Sequence, residues 1–415
     1  MAIKAGQILH TANGFLVDRI QSAGPGSINV NSERVDELGN YEAVAFVRDI
    51  PDLSFEMETL DFSTELHKVL FGATDGDPAG TKYEPELHLR PVDILSPFKG
   101  AGLFEIVRGI AIPYLTVESL TYNFSITDNA SLNVGLRGDS IYYVPGDVYR
   151  EEFTASDIAG GVATFGNGSG GLAGPALKTV IDGEDLYVLG AMFYDASASA
   201  YRRLRHGTDF TNTDSALTLI DITPAAGDML WVIYGHATTS QYTQSVHSGV
   251  AAGTPAGIRG RNVQVSVDGV TWLGLQSATV EWRATLERDE ELGNPQIVSQ
   301  DFDVPEVSGT LTMRANTAEY LFDRILQAAG VTSPDIVNAV VDPPQLPLQF
   351  KIVDPATGDT LQTLEVPDAQ FDPVAIQGQV GQKLDVEFPY NSAGGSLDIY
   401  KGDKPADSPG SPGSP

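Results

Sequence analysis

The chain repeats itself. Glu33–Ser54, ERVDELGNYEAVAFVRDIPDLS, returns as Glu287–Ser308, ERDEELGNPQIVSQDFDVPEVS, at a constant offset of 254 residues and without a gap. Ten of the 22 aligned positions are identical. Among them are Glu33/Glu287, Arg34/Arg288 and Glu37-Leu38-Gly39-Asn40 over Glu291-Leu292-Gly293-Asn294. A duplication of this length constrains the fold more tightly than any short motif.

The echo extends outward. Ile20-Gln21-Ser22-Ala23 matches Leu275-Gln276-Ser277-Ala278, and Ile112-Pro113 matches Val366-Pro367 at the same offset of 254. Asp139–Tyr142 and Leu397–Tyr400 end each copy on a strand signal. The chain of 415 residues is too long for one ordinary core. It divides into copy 1 (1–143, the echo starting near residue 8), an unmatched centre (144–257), copy 2 (258–401) and a tail, 402–415, rich in Pro, Gly and Ser. The tail lacks the apolar residues needed to order itself.

Local patterns set the fold class. Asn13-Gly14 is a hairpin turn signal. Leu53, Phe55 and Met57 alternate at the period of a half-buried strand. Phe62–Gly72 switches to a helical period, with Asp61 or Ser63 as candidate N-cap and Gly72 as stop. Asn316–Gly330 repeats this, with Asn316 and Glu319 at capping-box spacing and Leu321, Phe322, Ile325 and Leu326 as the stripe. Residues 73–100, rich in Gly, Pro and Asp, read as a long loop, and Phe165–Gly171, FGNGSGG, as a flexible one. In the centre, Thr179–Asp182, Leu186–Leu189, Leu217–Ile220 and Asp228–Tyr234 read as strands of a small β-sandwich. The expected class is therefore α+β, mostly antiparallel β. Two tandem barrel- or sandwich-like domains each carry one helix, and an all-β sandwich is inserted between them.

Composition excludes several functions. The formal charge is −30, from 55 acidic and 25 basic residues. Polyanion binding needs clustered Lys and Arg, so this field opposes nucleic-acid binding, though it suits a surface past which DNA must slide. Acidity also serves solubility alone. The chain has no cysteine, so disulfides, thiolate zinc sites and cysteine nucleophiles are excluded. The N-terminus lacks the pattern of a signal peptide, and no apolar run is long enough to span a membrane. Assembly in the cytoplasm is expected.

Catalytic chemistry finds no foothold. Gly166–Gly171 fits G-x-G-x-x-G in form, but no βαβ unit surrounds it. His10, His67, His88, His206, His236 and His247 hold no metal spacing, and His67 reads as a surface or flanking position of its helix. Asp75-Gly-Asp77 and Asp354–Asp359 lack the calcium-loop pattern. No catalytic residue, metal or cofactor is expected. The repeated Glu33, Arg34, Glu37, Asn40 and Glu287, Arg288, Glu291, Asn294 read either as a turn with a solvated charged face or as a loop that docks on a neighbour. In the second case the two arginines pair with acidic partners.

The tandem α+β copies bearing ELGN, the acidic balance and the inserted phrase Gly207-Thr-Asp-Phe-Thr211…Leu217-Thr-Leu219…Ala226-Gly-Asp228…Tyr234 resemble a bacteriophage family. It is the major tail (tail tube) proteins of long-tailed phages, in the subset with a duplicated tube domain. The resemblance covers both copies, about two-thirds of the chain. It implies a virion structural protein that is not an enzyme. Three chains would form a pseudo-sixfold ring, and rings would stack into a hollow tube for genome delivery. The implied partners are further copies of itself and other tail proteins. DNA would pass the lumen without specific binding, and no membrane is involved. The eight repeated residues above would then make inter-subunit or inter-ring contacts, with the centre decorating the outside. A trimeric baseplate hub or distal tail protein is the alternative within that class. A carbohydrate-binding or host-adhesion protein built of β-domains is the alternative outside it.

Overall fold

The chain turns after Asn13: Thr11–Ala12 (β1) pairs with Phe15–Leu16 (β2), and Asn13 takes a left-handed φ of 50°. The computed structural model describes most of residues 11–29, 32–35, 45–48, 52–99, 106–236, 258–289, 299–328, 344–372 and 385–405. The strand ladders among these residues are antiparallel.

Copy 1 continues with Ile20–Asn29 (β3), Ser32–Val35 (β4), Ala45–Arg48 (β5) and Asp52–Thr59 (β6). Then come helix Thr64–Phe71 (α1), Lys82–Tyr83 (β7), the short helix Pro85–His88 (α2) and Val92–Lys99 (β8). The long strand Ile106–Ser125 (β9), Ser131–Gly138 (β10) and Tyr142–Val144 (β11) complete it. Leu53, Phe55 and Met57 are buried as their alternation predicts, and Leu66, Val69 and Leu70 of α1 pack against them in one core. Gly72 ends α1 with φ +68°, the left-handed conformation a C-terminal glycine supplies.

The reading of 73–100 as a loop is corrected. Asp93 and Pro97 break the apolar alternation of β8, yet its backbone pairs with β9 from Val92 to Lys99. Pro97 is tolerated because β1 covers β8 only at Ile94 and Leu95.

The centre folds as Asp147–Thr154 (β12), Ile158–Ala159 (β13), Val162–Thr164 (β14), Thr179–Ile181 (β15), Glu184–Leu186 (β16) and Val188–Asp195 (β17). Ala200–Arg203 (β18), Phe210–Asn212 (β19), Ala216–Leu219 (β20) and Met229–His236 (β21) complete the set. Sheets β12-β21-β17-β18 and β13-β14-β20-β19 bury Tyr149, Phe153, Leu217, Leu230, Val232 and Tyr234 in a core of their own. The glycine-rich loop is not a loose one. The backbone N–H groups of Gly166 and Gly168 donate to the Glu151 carboxylate at 2.8 and 2.6 Å, and Tyr234 Oη donates to it at 2.8 Å. A Cβ on Gly171 would collide with the same carboxylate, so the glycines let the chain wrap it.

Copy 2 has Val263–Val267 (β22), Val270–Thr271 (β23), Leu275–Arg283 (β24), Leu286–Asp289 (β25), Ser299–Phe302 (β26) and Glu306–Arg314 (β27). Helix Ala315–Ala328 (α3) is followed by Leu346–Val353 (β28), Thr360–Phe371 (β29), Asp385–Ser392 (β30) and Asp398–Lys401 (β31). Strands β4, β5, β6, β8 and β10 begin 254 residues before β25, β26, β27, β28 and β30. The registers also transfer. Val134↔Met57 becomes Phe388↔Leu311, and Leu95↔Ala111 becomes Gln349↔Glu365. Helix α3 starts at Ala315, one residue ahead of Asn316, so Asn316 does not hold the N-cap position that its spacing suggested. Gly330 lies outside the described residues.

The outlying echoes mark β-bulges. Gln21 is the extra residue between Ile20 and Ser22 on β6, as Gln276 is between Leu275 and Ser277 on β27. Pro113 and Pro367 sit at the register shifts of β9 on β8 and of β29 on β28. Bulges are where a strand admits an unpaired residue or a proline. Among the described residues the sheet built by both copies is open, its main run of ladders ending at β3 on one side and at β22–β23 on the other. Within one chain it is sandwich-like and not a closed barrel.

Candidate assembly surfaces

Strand β9 outlasts its own copy. Its last part, Ser119–Ser125, pairs with β10 on one side and with Ser277–Arg283 of β24 on the other. Leu120, Tyr122 and Phe124 alternate inward from one strand, and Ala278, Val280 and Trp282 from the other; all six are buried in the shared core. The ladder runs past both ends, since Ile126 N–H donates to Gln276 O at 3.0 Å and Ala284 N–H to Glu118 O at 3.0 Å. The two copies are thus joined edge to edge in one continuous sheet, which hides two strand edges from solvent.

A second seam lies at the C-terminal strand. Strand β31 pairs with β29 of its own copy and with β7 of copy 1, as Ile399↔Tyr83 and Tyr400↔Lys82. Lys82 Nζ lies 3.0 Å from Asp398 Oδ1, and Lys404 Nζ lies 3.0 Å from Glu365 Oε1. Burial pushes the Asp398 carboxyl above its ordinary range, against the pull of Lys82. Lys401 Nζ donates to Asp77 O at 2.6 Å. His67 of α1 lies under this seam. It is 2 % exposed, and burial pushes its pKa from 6.5 down to about 4. The surface placement expected for His67 is therefore wrong: it is buried against the rings of Phe71 and Tyr83, with Gln362 of β29 beside it.

The repeated charged segment forms arms. Among the described residues β4 and β5 pair only with each other, as do β25 and β26, and each arm continues the two strands of a sheet hairpin (β3/β6 or β24/β27). Glu33 and Arg34 stand opposite Val47 and Phe46, and Glu287 and Arg288 opposite Asp301 and Gln300. Glu287 is exposed and faces a second acid across its ladder, an arrangement that destabilises an isolated hairpin. Glu37, Asn40, Glu291 and Asn294 lie outside the described residues. So do the side chains of Glu33, Arg34 and Arg288, so ladder position is what is known of them. The register brings each Glu-Arg pair to equivalent arm positions and brings neither pair to the inter-copy ladder.

No protein-family model matches the chain, and no curated protein matches it. The assembly surfaces rest on its own geometry.

The sequence reading singled out the arms and missed both seams. The alternations Leu120/Tyr122/Phe124 and Ala278/Val280/Trp282 were a visible signal. Nothing local tells one strand that its partner lies in the other copy. Among the described residues no group of three or more His, Asp or Glu gathers as a metal site, and no helix is long and apolar enough to cross a membrane.

Proposed function

We propose that this chain is a tail tube protein of a long-tailed bacteriophage. Three copies close into a pseudo-sixfold ring, and rings stack into a hollow conduit for the genome. One observation carries the reading: two copies with the same strand order and register are joined edge to edge by β9 and β24. Two equivalent units side by side in one chain are what a ring of six units from three chains requires. Sheet edges buried between units also remove the hazard of free edges.

The remaining features fit this use. The arms leave the sheet and are free to reach the next ring, with Glu33, Arg34, Glu37 and Asn40 and their counterparts Glu287, Arg288, Glu291 and Asn294 on them. A net charge of −30 gives a lumen that does not trap DNA phosphates. The sandwich decorates the outside. The protein is assembled in the host cytoplasm, resides in the virion tail and needs no cofactor.

Electron microscopy of the purified, concentrated protein tests the proposal. Hollow tubes whose end-on averages show threefold modulation of a six-unit wall are expected. Single trimers that never stack would replace the tube with a baseplate hub. Monomers at every concentration would contradict the ring and favour an adhesion protein.

A further inference from the structure

We propose that copies of this chain stack head to tail through a knuckle, Asp303-Val304-Pro305, that seats in a basic groove at the far end of the junction between β9 and β24. The inference rests on the tube reading and names a contact that holds one ring to the next.

The groove lies where β9 leaves β24. Ile126, Gly260, Arg261, Val263, Leu275 and Gln276 help line a space of about 150 Å³. A cavity of that volume admits a benzene-sized group, which is larger than an isopropyl side chain. A Cβ on Gly260 would collide with the Ser125 carbonyl, so only glycine lets the lead-in to β22 pass against the end of β9. Ile126 is 43 % exposed. Arg259 and Arg261 are exposed on either side of Gly260, and among the described residues neither makes an ion pair. Asp128, close by in the chain, is taken up by the hydroxyls of Ser125 and Thr127. In a chain of charge −30, two cations left without an acid suit an acidic visitor. The corresponding positions of copy 1 are Ala5 and Gln7, so the sequence supplies this charged groove once per chain.

The knuckle has the complementary chemistry. Val304 is 76 % exposed, more than any other large apolar side chain among the described residues. Asp303 before it and Glu306 after the proline are exposed as well. Pro305 fixes the bend. The turn at Gly395 backs it so closely that a Cβ there would strike the Pro305 carbonyl. The knuckle is therefore a preset apolar tip between two acids.

Strand register sets the two features apart. Leu275 at the groove pairs with Met313, while Arg283, at the other end of β24, pairs with Glu306 beside the knuckle. From Leu275 to Arg283 the strand runs roughly 26 Å, so knuckle and groove cannot meet within one chain. Strands joined edge to edge around a ring leave their ends on its two faces. The knuckle then points out of one face and the groove opens on the other. A contact between two different surfaces of the same chain propagates as a filament when it does not close.

Two charge reversals test the contact. Arg261→Glu and Asp303→Lys each alter an exposed residue, and each variant should keep the parent's ring mass in native mass spectrometry. Each alone should stack poorly, its mean tube length in electron micrographs falling about tenfold, because like charges then meet at every junction. Mixed in equal amounts, the two should regain the parent's tube length. The acidic groove of one accepts the basic knuckle of the other, and its own acidic knuckle enters the unaltered groove. Val304→Ser, which changes no charge, should also shorten the tubes. Parental tube length from any single variant, or no recovery on mixing, would overturn the knuckle-and-groove contact and leave the tube reading standing. Parent rings that never stack would overturn both.

Discussion

Arg150 Nε lies 3.1 Å from Asp93 Oδ2, across the seam between copy 1 and the inserted sandwich. Asp93 is held ready for it: Oδ1 accepts Tyr114 N–H at 3.0 Å, and its own N–H donates to Asn13 Oδ1 at 2.9 Å. The Arg150 guanidinium lies 5.2 Å over Trp231. A second strut, Arg203 to Asp139 at 2.6 Å, has its guanidinium 4.3 Å over Tyr114. The sandwich is thus braced on copy 1 by two buried ion pairs, beside the small shared core of Leu95, Ala111, Val144, Val148, Leu189 and Ile233.

Breaking one strut should be costly. The side chains of Arg150 and Asp93 are 9 % and 5 % exposed, so Asp93→Ala leaves a buried cation with Glu152, 3.6 Å away, as its nearest acid among the described residues. The expected loss is about 3 kcal/mol in urea unfolding followed by tryptophan fluorescence. Adding Arg150→Met should recover a large part of it, because the stranded charge is gone. Equal losses in the single and double variants would show that the pair is not coupled.

Glu151 contributes a pH dependence to the sandwich. Burial raises its pKa, opposed by the N–H groups of Gly166 and Gly168 and by Tyr234. An acid with a raised folded pKa leaves the fold less stable once pH climbs from the unfolded value, near 4.3, through the folded one. The penalty persists at neutral pH and vanishes in acid. Glu151→Gln keeps an oxygen for the glycine amides and removes the charge. It should leave neutral stability equal or higher and flatten this part of the pH profile. Glu151→Leu strands three donors and should cost about 2–3 kcal/mol. Denaturation midpoints at several pH values, read at Trp231, check both.

His67 works in the opposite direction, in the core shared by the copies. Its pKa falls from 6.5 to about 4 in the fold, so the unfolded chain takes up the proton first as pH drops. Stability is full above pH 6.5 and declines as pH falls toward 4, by about 3 kcal/mol in all. His67→Gln should remove that part of the decline, seen as a urea midpoint at pH 5 that rises relative to pH 7 when compared with the parent chain. An unchanged slope would mean that His67 is solvated.

Much of this architecture was written in the repeat. The offset of 254 carries strand for strand, and Gln21/Gln276 and Pro113/Pro367 recur because both copies need the same bulges. Residues whose surroundings arrive from afar were not legible. His67 looks like a helix-flank residue until Tyr83 of β7 and Gln362 of β29 close over it. Asp93 looks like a loop residue until Arg150 reaches it. Glu151 looks like an outward strand position until the glycine loop wraps it. The junction of β9 and β24 joins residues more than 150 positions apart, and alternation shows that each strand has a buried face without naming its partner.

The arms should act between rings. Arg34→Glu with Arg288→Glu reverses the one cationic position each copy keeps amid acids. Rings should still form, while tube length in electron micrographs collapses to single or few rings. Tubes of normal length would remove the arms from the stacking contact.

The number of chains in a ring decides whether two units per chain serve a pseudo-sixfold wall. Native mass spectrometry of the assembled, unstacked protein measures this directly. A closed species at three times the chain mass of 44.2 kDa, with no six-chain ring, is expected from two units per chain. A six-chain ring, or a monomer at all concentrations, would contradict it.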